Sequence, residues 1–122
     1  MKIEPKSFIL EQRREDGAKL KLELIVDGTL KTAETKWNEG VIEPRTMLFR
    51  ALEEIFGYVV TDSRFNVNSG STKGDVKVTI AANGTRYIGQ AQFDDYISNE
   101  LLAAYRDAYL NAVQRAHSKK KS

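Results

Sequence analysis

The chain has 122 residues, 41% apolar and 30% charged, with a formal net charge of +2 and no cysteine. Those totals fit one globular domain and exclude disulfide frameworks, thiolate nucleophiles and cysteine-ligated zinc. No apolar run approaches the roughly 20 residues that cross a bilayer, and Met1-Lys2-Ile3-Glu4-Pro5 lacks the apolar centre of a secretory signal, so a cytoplasmic protein without a membrane partner is expected.

Ser7 to Arg13 predicts a first strand, followed by a polar turn at Glu15-Asp16-Gly17. Ala18 to Val26 alternates, with Leu20, Leu22, Leu24 and Val26 on a core face and Lys19, Lys21 and Glu23 on a wet one. Asp27-Gly28 is a strong hairpin signal, because the favoured two-residue turn needs positive φ at both positions. Leu30 to Trp37 returns, with Ala33, Thr35 and Trp37 sharing one face on which small residues would let a helix approach closely. A loop from Asn38 to Glu43 leads to Pro44, which suits a first helical position. The helix runs to about Phe56 on a stripe of Leu48, Leu52, Ile55 and Phe56 flanked by Met47 and Ala51, and Gly57 stops it.

A linker, Tyr58 to Ser63, precedes a fourth strand from Arg64 to Asn68 and a flexible turn from Ser69 to Gly74. Asp75 to Ala82, the turn Asn83-Gly84, and Thr85 to Phe93 form a second hairpin, and the loop Asp94 to Ser98 ends at Asn99 as helix cap. The second helix is predicted over Glu100 to Ala116, burying Leu101, Tyr105, Ala108 and Ala112 with Leu102, Tyr109 and Val113 flanking, and 117–122 is expected as a flexible basic tail.

Asp27-Gly28-Thr29 falls on Asn83-Gly84-Thr85 at a shift of 56 (83 minus 27). The same shift places Leu20, Leu22 and Leu24 on Val76, Val78 and Ile80, Trp37 on Phe93, and Leu48, Phe49 and Leu52 on Ala104, Tyr105 and Ala108. Agreement through strand, turn, strand and helix predicts an internal duplication. The expected fold is α+β, a single domain over 1–122 built from two βββα units, 7–57 and 64–116, with antiparallel sheets covered by two helices.

His117 is the single histidine and lies past the predicted end of the second helix, which argues against imidazole catalysis. Glu53-Glu54 and Glu15-Asp16 fall on a wet helix face and in a turn. No P-loop or dinucleotide fingerprint occurs, so no cofactor is expected. Asp94-Asp95 stands just ahead of a helix start, and Asn38-Glu39 is its counterpart. Such acids either terminate strands and favour the helix dipole or, with the unpaired N–H groups of a helix start, receive a zwitterionic amino acid. Acids and bases are otherwise interspersed, which argues against a nucleic-acid partner for this chain.

Val26-Asp27-Gly28, Ala33, Leu48-Phe49-Arg50-Ala51-Leu52 and, most specifically, Ala108-Tyr109-Leu110-Asn111-Ala112-Val113-Gln114-Arg115 resemble the C-terminal regulatory domain of 2-isopropylmalate and citramalate synthases, over nearly the whole chain. The resemblance implies a non-catalytic regulatory and dimerisation module of leucine biosynthesis, not an enzyme in itself. It would form a homodimer, bind leucine or isoleucine as feedback effector near the loops that follow the third strand of each unit, and serve a catalytic synthase subunit. The positions implied are Asn38, Glu39, Gly40 and Pro44 in the first unit and Gly89, Ala91, Asp94, Asp95 and Ile97 in the second. The family's glycine-rich lead into the first helix is matched here only at Asn38, Gly40 and Pro44, and the second lead is longer. A purely structural homodimerisation module is the second reading. Double-stranded RNA binding is the third, because the segment from the first helix to the second traces α-βββ-α, although Asp94, Asp95 and Glu100 stand where phosphate contact would want lysines.

Overall fold

The computed structural model describes residues 1–13, 17–37, 43–96 and 100–121, with the side chains at 12, 13, 37 and 119–121 left aside. The elements follow the order β1 (Ile3–Arg13), β2 (Gly17–Val26), β3 (Thr29–Trp37), α1 (Pro44–Phe56), β4 (Val59–Val67), β5 (Gly74–Ala82), β6 (Thr85–Phe93) and α2 (Glu100–Lys121). The fold is α+β, with two antiparallel three-stranded sheets in the orders β1-β2-β3 and β4-β5-β6. The chain divides into two compact units, Met1–Gly57 and Tyr58–Ser122, hereafter unit 1 and unit 2.

The central strands build each core. Leu20, Leu22 and Leu24 on β2, and Val76, Val78 and Ile80 on β5, are fully buried, because alternate side chains of a strand line one face and a helix covers that face. In unit 1, α1 lies on β2 and β3 and buries Met47, Leu48, Phe49, Ala51 and Leu52. Ile55 and Phe56, expected in the stripe, are only half-buried. In unit 2, α2 lies on β5 and β6 and buries Leu102, Tyr105, Ala108, Tyr109, Ala112 and Val113 among others, while Leu101 is half-buried.

The repeat extends to the backbone. Asp27 and Asn83 take positive φ, 50° and 52°, followed by Gly28 and Gly84 at 83° and 78°, the geometry of a two-residue turn matched to strand twist. The ladders beyond the turns repeat in register, Ala18↔Trp37 becoming Gly74↔Phe93. Both helices begin 56 apart, at Pro44 and Glu100 (100 minus 44). The first strands match at 55 instead. β1 carries a bulge at Lys6, between Pro5 and Ser7, and β4 carries one at Thr61, between Val60 and Asp62. The loop between β4 and β5 holds the one-residue difference.

These bulges explain why the outer strands begin earlier than Ser7 and Arg64. An extra residue interrupts the period of two, so Ile3–Lys6 and Val59–Ser63 do not read as strand by alternation. Pro5 is tolerated because β1 is an edge strand. α2 continues to Lys121, past Ala116 and into the segment expected as a flexible tail. Gln114, Arg115 and the lysines are good helix formers, and cations favour a helix C-terminus. α1 ends, as expected, at Gly57, whose φ is 80° and whose N–H donates to the Glu53 carbonyl at 2.7 Å. Among the described residues, no helix is long and apolar enough to cross a membrane.

Candidate functional site

In unit 2 the loop between β4 and β5 is a compact turn. The Asn68 N–H donates to the Lys73 carbonyl at 2.8 Å, the Ser71 N–H to the Asn68 carbonyl at 3.1 Å, and the Lys73 N–H to Ser71 Oγ at 2.9 Å. This turn is laced to the segment that leaves β6. Thr72 Oγ1 donates to the Asp94 carbonyl at 2.8 Å, and the Tyr96 N–H donates to the Thr72 carbonyl at 3.2 Å. The two loops thereby hold a cleft of about 460 Å³, whose lining includes Lys73, Asp75, Ala91, Gln92, Phe93 and Asp94. Phe93 is buried across the ladder from Gly74, and a Cβ on residue 74 would lie 2.7 Å from the Phe93 ring and collide with the Asn66 carbonyl. Glycine there makes room for the Phe93 ring on the helix-covered face, while Asp75 and Gln92, the next pair of the ladder, turn to the opposite face.

The charges in this cleft are unusual for the chain. Lys73 offers an ammonium, while Asp75 and Asp94 offer carboxylates. Among the described residues, none of the three joins an ion pair. A cation and two anions around one cleft can receive a small molecule that carries both signs.

The equivalent positions of unit 1 neutralise one another. Lys19, Glu34 and Lys36 correspond to Asp75, Gln90 and Gln92 at the shift of 56 (75 minus 19). Glu34 lies between its two lysines, 3.4 Å from Lys19 Nζ and 3.5 Å from Lys36 Nζ. Desolvation alone would raise the Glu34 carboxyl, but the ammonium groups of Lys19 and then Lys36 hold it below its ordinary value. Thr35, the counterpart of Ala91, donates through Oγ1 to the Met47 carbonyl at 3.1 Å and so ties β3 to the first turn of α1. Ala91 has no hydroxyl to do the same, and it lines the cleft instead.

Of the positions expected to hold a ligand, Asn38, Glu39, Gly40 and Ile97 lie outside the described residues, as does the predicted cap Asn99. Pro44 is the first residue of α1, after Glu43, whose carboxylate accepts from Arg45 Nη2 at 2.7 Å. Ala91 and Asp94 meet in the cleft, and Asp95 follows, half-buried and with a polar or ionic partner.

Gly89 lies elsewhere, beneath α2. A Cβ on it would collide with the Ala108 carbonyl and stand 2.5 Å from the Ala112 nitrogen, so helix backbone rests directly on strand backbone. The residues around it belong to the stretch Ala108 to Val113. Tyr109 is fully buried and its hydroxyl donates to the Tyr58 carbonyl at 2.7 Å. Asn111 Oδ1 accepts the Gln90 N–H at 3.1 Å, satisfying a donor on the open edge of β6. Ala108, Ala112 and Val113 are fully buried. The segment therefore docks α2 on β6, a role that spacing alone did not reveal. Its signal was the coincidence of Ala108 and Ala112, one helical turn apart, with a glycine on the strand.

No protein-family model matches the chain, and no curated protein matches it in sequence.

Proposed function

We propose that the chain is a non-catalytic, cytoplasmic regulatory module that assembles as a homodimer and binds a small branched-chain amino acid, leucine or isoleucine, as an effector for a catalytic synthase subunit. The observation that carries this reading is the cleft at the exit of β6, where Lys73, Asp75 and Asp94 stand together without ion-pair partners among the described residues. Lys73 receives the ligand carboxylate and Asp94 or Asp75 its ammonium. Assembly is supported by Phe65. It pairs with the buried Val76 and so points to the core face of its sheet, yet it is 49% exposed, which leaves an aromatic ring on that face for a second copy to cover.

Calorimetric titration with leucine, isoleucine and valine, set against glycine and glutamate, tests the reading. Heat is expected from the branched amino acids and is lost in Lys73→Ala and Asp94→Ala. Flat heats throughout would remove the ligand. Sedimentation of the intact chain tests the dimer, and a monomer at every concentration would remove the assembly.

A further inference from the structure

The opposite end of β6 carries a second cleft, of about 640 Å³, lined by Arg86, Tyr87, Ile88, Gln114, Arg115 and Ser118. Here α2 has run beyond the length of α1 and lies beside the start of the strand. Among the described residues β6 pairs only with β5, so its other edge is open. In an antiparallel strand both polar backbone groups of one residue point to the same side. Ala82 and Thr85 flank the two-residue turn and Thr85, Tyr87 and Gly89 pair into the ladder with β5, so Arg86, Ile88 and Gln90 direct their N–H and C=O outward. The Gln90 N–H confirms this direction by bonding to Asn111. The groups of Arg86 and Ile88 remain on the edge, facing the cleft.

The side chains around these groups are cationic and apolar. Arg45, Arg64 and Arg106 each pair with a carboxylate. Arg86 and Arg115 are both exposed and, among the described residues, join none. Ile88 is 47% exposed. We propose that this edge binds an extended acidic peptide segment, which adds to the sheet beside Arg86 and Ile88 and is capped at its far end where Asn111 closes the strand edge. Side chains of a strand alternate between faces. Two adjacent acidic residues therefore offer one carboxylate to Arg115 on the helix side and the other to Arg86 on the opposite side, and an apolar residue two positions from the latter meets Ile88. A second copy of β6 is a poor occupant, because a two-fold axis along this edge would bring the arginines of both copies together.

The test is fluorescence anisotropy on the full chain with a labelled, end-blocked peptide built on Asp-Glu-Val. Saturable binding is expected, weakened about tenfold or more by Arg86→Glu and by Arg115→Glu. It is also lost when backbone N-methyl groups remove the peptide's donors, which leaves the protein unaltered. Absence of binding at millimolar peptide overturns the proposal. Equal binding of a Lys-Lys-Val peptide, or full binding of the N-methylated one, overturns it too, the latter by showing attraction without strand addition. Tighter binding of a single- or double-stranded oligonucleotide than of the acidic peptide would assign the arginines to phosphate instead.

Discussion

Unit 1 and unit 2 share turns, ladder register and the start of their helices, yet they join helix to sheet differently. In unit 1 the helix contributes Leu48, Leu52 and Phe56 where unit 2 has Ala104, Ala108 and Ala112, and the strand contributes Ala33 where unit 2 has Gly89. Both sides of the contact shrink together. Large helix residues over an alanine hold two backbones apart through side-chain packing, whereas small residues over a glycine bring them into direct contact. The same strand pair has also changed its charges. Unit 1 closes Lys19, Glu34 and Lys36 upon themselves, and unit 2 leaves Lys73, Asp75 and Asp94 open in a cleft. One copy has kept a self-contained surface, and the other has a surface suited to a guest.

The largest effect expected from breaking this contrast is at Gly89. Gly89→Ala drives a methyl group into the Ala108 carbonyl and costs about 3 kcal/mol, while the reverse change in unit 1, Ala33→Gly, costs about 1 kcal/mol through added chain entropy. Urea midpoints followed by circular dichroism compare the two, and an unchanged midpoint in Gly89→Ala would show that α2 has room to spare over the strand.

A smaller effect separates the turns. Asn83→Ala loses about 1 kcal/mol, because alanine resists the left-handed conformation. Asp27→Ala loses about 1 kcal/mol more, since it also removes the Oδ1 that accepts the Lys2 N–H at 2.8 Å, while the backbone bond from the Asp27 N–H to the Lys2 carbonyl survives. Equal losses in thermal melts would mean that the tie to β1 adds nothing.

The smallest effect concerns Glu34. Its carboxyl is held below the ordinary value of 4.5 in the folded chain, so its contribution is complete above that value and disappears as the pH falls through the lowered one. Glu34→Gln should therefore melt slightly below the parent at neutral pH and match it once the pH has fallen through the lowered value. A difference that persists in acid would mean that the glutamine disturbs packing and not charge.

Strand and turn chemistry made most of the architecture legible beforehand. Asp27-Gly28 and Asn83-Gly84 declared their hairpins, Pro44 and Gly57 bounded α1, and the leucines of β2 announced the core face. What escaped was whatever broke a period or needed two distant segments at once. The bulges at Lys6 and Thr61 hid the first halves of β1 and β4. The lysines after Ala116 looked like a tail because composition alone does not distinguish a polar helix end from a loose one. The cleft was half legible. Ala91 and Asp94 were expected near a ligand, but Lys73 and Asp75 come from the preceding loop and strand, and only the lacing of Thr72 to Asp94 brings them alongside.

The bulge has been inherited by both copies in the same place, on the outermost strand far from the helix-covered side. An irregularity of this kind twists its margin out of line and discourages further pairing there. Each sheet is thus blunted on one flank, so the sheet of unit 2 can be lengthened in one direction only, at β6.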